Sequence, residues 1–305
     1  MLSQLTIKID NAVDRFISTN IFTNYLGLAR SILALSTFLT LLTNKPDTIF
    51  RPDGVGNIRM YNLIWDKINF FYLLPYDQIN ILRWIAIAIL LLVMSGWIPK
   101  ISAVLHYWIC VSFVNSVMMV EGGDQIASNM TLLLIPICLC DPRSNHWYAI
   151  TKEMSAKLQP ERLLVSNFFY LLLRLQVAFI YFHAAVGKMP IDDWANGTAV
   201  YYWFNNPTFG MCSWMKPILN PLLTNPYIIV ILTWGVIAFE FILFLALFLD
   251  KKYYRSLLIS GMVFHFSIIV IHGLFSFFLS MAGALLLYLA PVDQQLKWHL
   301  PKKIR

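Results

Sequence analysis

A chain of 305 residues that is 58% hydrophobic and 13% charged, with a mean hydropathy of +0.64, takes lipid rather than water as its main solvent. Its net charge of +7 would suit nucleic acid in a soluble protein, but here the basic residues stand between apolar runs, where they act as topology signals, and no nucleic-acid partner is expected. Cys110, Cys138 and Cys140 fall in or at the end of apolar segments and Cys212 lies alone in a loop, which excludes a disulfide framework and a zinc site.

The first segment, "LSQLTIKIDNAVDRFIST", spaces Leu2, Leu5, Ile9, Ala12 or Val13, and Phe16 along one helical face. It lacks the apolar core of a signal peptide and reads as an amphipathic helix lying in the membrane interface, a segment covering residues 1–24.

Apolar runs long enough, or nearly so, to cross about 30 Å of hydrocarbon follow near 25–44, 79–97, 101–120, 125–140, 163–188, 226–250, 255–272 and 274–291. The last two share one apolar stretch, divided at "IHGLF" around His272 and Gly273. The expected fold is therefore all-α: one polytopic transmembrane bundle over residues 25–291, of eight spans or, as the alternative, seven. A basic tail, 292–305, follows.

Orientation comes from the basic residues. With the N-terminus inside, Lys8, Arg15, Lys100, Arg143, Lys152, Lys157, Arg162, Lys251, Lys252, Arg255, Lys297, Lys302, Lys303 and Arg305 lie inside, and Lys45, Arg51, Arg59, Lys67, Lys188 and Lys216 outside. This excess places both termini in the cytoplasm and Lys188 on the extracytoplasmic side of a cell membrane. Of the two large outer loops, the second carries "WANGTAVYYWF", whose Trp194, Tyr201, Tyr202 and Trp203 suit a short interfacial or re-entrant helix near 194–204.

Ionisable groups at membrane depth cost about 2.5–3.5 kcal/mol each on insertion scales, so they are the informative residues. Arg174, Glu240 and His265 lie near the middles of spans five, six and seven, which predicts an Arg174–Glu240 ion pair with His265 in reach. Arg174, Tyr181 and Lys188 recur every seven residues and share one helical stripe. Two readings stand for these groups: ion pairs and hydrogen bonds that only hold helices together, or the lining of a polar chamber. For Lys188 they are a snorkelling helix-end lysine, or a partly desolvated base or anion-binding group. Asp192 and Asp193 are placed to cap the next helix. Arg30 is expected to snorkel to the inner surface, and "GGDQIASN" before span four to form a turn with a polar rim, the alternative being that Asp124 and Asn129 face the outer chamber. His106 and His146 have no partner identifiable from the sequence.

The stretch "YFHAAVGKMPIDDWANGTAVYYWF" resembles the signature of the HTTM domain, the membrane module shared with vitamin K-dependent gamma-carboxylases, through Tyr181, Ala184, Ala185, Lys188, Trp194, Gly197, Tyr201 and Tyr202. His265 in "GMVFHFSIIV" resembles that family's histidine in a late span, and "TNYLGLARSILALSTFLTLLTN" is similar to the sporulation-delaying protein B (SdpB) family of bacteria. The resemblance implies a multi-pass component that matures a secreted antimicrobial toxin precursor. Its implied partners are membrane lipid, a small SdpA-like protein and an SdpC-like precursor peptide. It makes Lys188 a candidate acid or base, with His265 and Tyr181 as candidate companions to which the depth and spacing patterns above add Arg174 and Glu240, and it names no cofactor. The chain departs from the carboxylases at Gly187, where they have a second lysine, and in "GGDQIASNMTLLL", which holds no histidine. A large domain after the membrane part is also not expected. Vitamin K-driven carboxylation is therefore not expected. Neither HExxH, GxSxG nor an intramembrane aspartate pair occurs, so no protease is recognisable.

Overall fold

The computed structural model describes residues 18–50, 67–156, 158–291 and 294–296, with the isolated positions 14 and 16. The expected interfacial helix of residues 1–24 and the basic tail fall largely outside these residues. Among those described, eight apolar helices build the fold: α1 Asn24–Thr43, α2 Ile79–Ser95, α3 Pro99–Val114, α4 Gly122–Cys140, α5 Pro160–Lys188, α6 Pro226–Leu245, α7 Tyr254–His272 and α8 Phe275–Leu289. Six are long and apolar enough to cross a membrane, α2, α6 and α7 being extended by 3-10 turns, while α3 and α8 are shorter. The chain is thus an all-α polytopic membrane bundle.

Local chemistry sets the helix ends. Gly96 and Gly273 take the left-handed conformation (φ +86° and +75°) that stops α2 and α7, and Gly273 is the break expected between the last two spans. Pro99, Pro160 and Pro226 open α3, α5 and α6, where a missing N–H costs nothing. At the start of α4, Glu121 and Asp124 each accept from the other's backbone in a capping box. Asn225 caps α6 by accepting from the N–H groups of Tyr227 and Ile228.

α8 is the centre. It packs on α1, α4, α5 and α7, and Ser280 through Ala290 are buried without exception. Small residues allow this approach: a Cβ on Gly283 would stand 2.7 Å from Leu33 Cγ and 3.2 Å from the Ala29 carbonyl of α1. Ser36 of α1 also donates to the Ser276 carbonyl at 2.9 Å. α2 and α3 flank α1 and α4 on one side, and α5 joins α4 to α6 on the other.

Between α5 and α6 the chain forms three short helices, Asp192–Ala195, Ala199–Phe204 and Lys216–Leu223. The first two occupy the region where one short helix was expected. Asp192 and Asp193 do not cap: the N-cap position is Ile191 and both aspartates fall inside the first turn, where they oppose the positive end of the helix dipole.

Candidate functional site

Lys188, Glu240, Tyr181 and His265 come together where α5, α6 and α7 meet. Lys188 is the last residue of α5, and its Nζ donates to Glu240 Oε2 at 2.7 Å, to Glu240 Oε1 at 2.9 Å and to the Ala184 carbonyl at 2.8 Å. All three ammonium hydrogens are engaged. The pair is largely enclosed, with side-chain exposures of 21% for Lys188 and 10% for Glu240, so each charge depends on the other for what water would have supplied.

The helix Asp192–Ala195 folds back to cover it. Trp194 is buried and its ring centre lies 5.2 Å from Lys188 Nζ, in cation–π range. Trp234 Nε1–H of α6 donates to the Trp194 carbonyl at 3.2 Å and holds the cover in place. Gly197 then takes a φ of +78° against Val230, a turn that a side chain would resist. It sets Ala199–Phe204 on α6, where the Val200 N–H donates to Thr233 Oγ1 at 3.3 Å. Farther along, the Cys212 N–H donates to the Ile271 carbonyl at 2.7 Å and His272 Nδ1 stands 2.8 Å from the Phe209 carbonyl, so the cover is fastened to α7 as well as to α6.

Beneath the ion pair, Tyr181 Oη and His265 Nε2 share a 2.9 Å hydrogen bond between α5 and α7. Both residues are buried. The aromatic rings of Phe264 and Phe277 stand 5.0 Å and 5.8 Å from the His265 ring, and His265 Nδ1 has no partner among the described residues. In one tautomer that nitrogen is an unused donor and in the other an unused acceptor; in both, the buried dyad keeps one hydrogen-bonding position open.

Arg174 does not join this group, and the expected Arg174–Glu240 pair is not formed. Its Nη2 donates to Tyr254 Oη at 2.6 Å and its Nε to the Tyr288 carbonyl at 3.3 Å, with its guanidinium 5.4 Å and 5.8 Å from the two ring centres. The reason is register. α5 is the longest helix and is displaced along its axis, so that its last residue, not its middle, lies beside Glu240, while Arg174 lies at the start of α7 and the end of α8. The stripe Arg174–Tyr181–Lys188 exists on α5, but its lower member bolts helix ends together.

Other expectations are corrected too. Arg30 does not snorkel: it is 1% exposed, with Nη1 donating to His146 Nδ1 at 2.8 Å and Nη2 to Ser102 Oγ at 3.1 Å. Since Nδ1 accepts, the His146 proton resides on Nε2 and reaches Ser31 Oγ at 3.3 Å. Burial, reinforced by the Arg30 and Arg143 guanidinium groups, pushes the His146 imidazole, in the loop after α4, down to about 2. Asp124 turns to Glu121, which reaches Ser276 of α8, and Asn129 is exposed; among the described residues neither hydrogen-bonds with Lys188 or Glu240. His106 is buried, and its Nε2 has no partner among the described residues. No trio of His, Cys, Asp or Glu able to hold a metal ion occurs among the described residues.

Comparison with known proteins places this chain in a lineage. The chain is 39% identical over 299 residues to the uncharacterized protein YitO of Bacillus subtilis (strain 168), covering 97% of this chain and 95% of that one. It is 36% identical over 301 residues to sporulation-delaying protein SdpB of the same organism, covering 97% of this chain and 91% of the relative. No family model matches the chain. No solved structure matches it. With more than a third of positions identical along nearly its entire length, this chain belongs to the SdpB family.

Proposed function

We propose that this protein matures the precursor of a secreted antimicrobial peptide of the sporulation-delaying type, and that Lys188, Glu240, Tyr181 and His265 line the chamber where it acts. The observation that carries the reading is the unused nitrogen of His265, buried beside Tyr181 and below a covered lysine–glutamate pair. A bundle that needed only adhesion would gain by filling such a position. Arg174, bonded to Tyr254 and Tyr288 instead, stands outside this chamber. The basic-residue pattern supports cytoplasmic termini with the Lys188 cover on the extracytoplasmic side. The resemblance set out above supports an HTTM-like architecture, and a small SdpA-like protein and an SdpC-like precursor as partners.

Mass spectrometry of the peptide secreted by cells carrying wild-type protein or Lys188→Ala, each expressed with its genomic neighbours, tests the proposal. Unprocessed precursor alone from a mutant of normal membrane abundance supports a working chamber, and the mass difference defines the chemistry. Mature peptide in normal amount rejects the role of Lys188.

One observation favours a second reading, a non-catalytic scaffold. Lys188 has every donor satisfied by Glu240 and Ala184, as a structural pin does. Under that reading the double variant Lys188→Met, Glu240→Met still yields mature peptide. A transporter or immunity role lacks comparable support, because no repeat with two matching broken helices is apparent among the described residues.

A further inference from the structure

The face of α5 directly opposite Lys188 is also patterned. Leu172, Gln176, Phe179, His183 and Val186 follow one another at intervals of four, three, four and three residues, the spacing of a coiled-coil seam. Phe179 is 51% and Val186 37% exposed, His183 is exposed, and Leu172 and Gln176 are half-buried. Gly187, beside the seam's end, has open space where a side chain would be. Among the described residues neither Gln176 nor His183 has a hydrogen-bond partner; His183 meets only the edge of the neighbouring Phe182 ring.

Hydrocarbon offers no donor or acceptor, so polar side chains on the surface of a membrane span seek those of another helix. His183 lies nine residues beyond Arg174, about 13 Å along α5, and five before Lys188, with Phe179, Phe182 and Val186 around it. Five residues from the end of the helix, it sits among apolar neighbours and not at a charged rim.

We infer that this face pairs two copies of the chain in the membrane, α5 against α5. A two-fold axis along the membrane normal brings each residue opposite itself at equal depth. The two polar residues are those that can satisfy themselves in that arrangement. A glutamine amide has both donor and acceptor, so Gln176 and its symmetry mate exchange two hydrogen bonds, and two neutral imidazoles share one N–H···N bond. Phe179, Leu172 and Val186 supply the packing between them. A polar residue in an otherwise apolar seam fixes register. The two chambers then lie back to back, with the paired α5 helices as their common wall.

Disulfide trapping in native membranes tests the inference. In full-length protein whose Cys140 and Cys212 are replaced by alanine, Phe179→Cys and Val186→Cys are oxidised in parallel with Ile231→Cys and Val263→Cys, which are exposed on α6 and α7. The expected result is a species of twice the monomer mass for the two α5 positions and none for the controls. Monomer alone, equal trapping at all four positions, or an adduct whose mass identifies a different protein overturns it. Energy transfer between differently labelled copies in vesicles supplies an independent measure. Gln176→Leu removes both amide hydrogen bonds and is expected to weaken association by roughly 10- to 1,000-fold, twice the free energy of one interhelical hydrogen bond in a membrane. An unchanged association overturns the role assigned to the paired amides.

Discussion

Glu240 lies about 21 Å along α6 from its first residue, yet its carboxylate takes two hydrogen bonds from Lys188, the final residue of α5. α5 therefore stops beside the interior of α6, and the short helices from Asp192 to Phe204 occupy the depth it leaves.

Removing one member of that pair is expected to cost more than removing both. Glu240→Gln strands an ammonium beneath Trp194 and should lower stability by on the order of 3 kcal/mol, whereas the double change to methionine should recover most of the loss. Thermal unfolding of detergent-solubilised protein compares the three. A double variant as unstable as the single one would show that the pair stabilises beyond mutual neutralisation.

Arg174 should not tolerate lysine. Its planar guanidinium reaches Tyr254 Oη and the Tyr288 carbonyl while lying against both rings, and a single ammonium on a round head cannot hold both contacts. Arg174→Lys is expected to destabilise by about 1–2 kcal/mol, read as a lowered midpoint in the same unfolding assay.

The contact of α1 with α8 should be intolerant of a methyl group. Gly283→Ala places a Cβ against Leu33 and the Ala29 carbonyl, and the expected loss is about 1–3 kcal/mol. Gly187→Ala, set in open space on the exposed face of α5, serves as a helical comparison and should cost far less.

Stability should fall on acidification through His146. Its folded-state value is lowered from 6.5 to about 2, so between those values the unfolded chain binds a proton that the folded chain refuses. The contribution is fully present above 6.5 and is lost progressively as the pH drops below it. Unfolding midpoints measured from pH 7.5 to 4.5 should decline, and His146→Gln, though less stable at every pH, should decline less steeply.

The sequence made the helices legible because each apolar run reports directly on one element, and the Gly273 break is visible as punctuation. What it left hidden was the sliding of one helix against another. Arg174 and Glu240 each lie near the middle of their own apolar runs, which suggested that they meet, but α5 extends back to Pro160 and its register is set by packing against α4, α6 and α8. Lys188 thereby inherits the partner expected for Arg174. Arg30 was misread for a related reason: its acceptor His146 lies 116 residues away in a loop, and no local pattern announces it. A hint was present in Gly27, where a Cβ would collide with the His146 ring, but a glycine in a helix carries no address. Trp194 was legible as an aromatic near an interface; its position over Lys188 depends on the Gly197 turn and the Trp234 hydrogen bond, both tertiary.

The enclosure of α8 from Ser280 onward bears on the order of assembly. Chains are made from the N-terminus, so α1 to α7 are synthesised before the helix that fills their centre exists. Until Phe275–Leu289 arrives, Ala29 and Leu33 of α1 and the inward faces of α4 and α5 have no core to close upon. A nascent chain halted before Phe275 is therefore missing its hub, not its rim. Such a product should be recognised and cleared by membrane quality-control proteases, although every one of its longest helices has already been made.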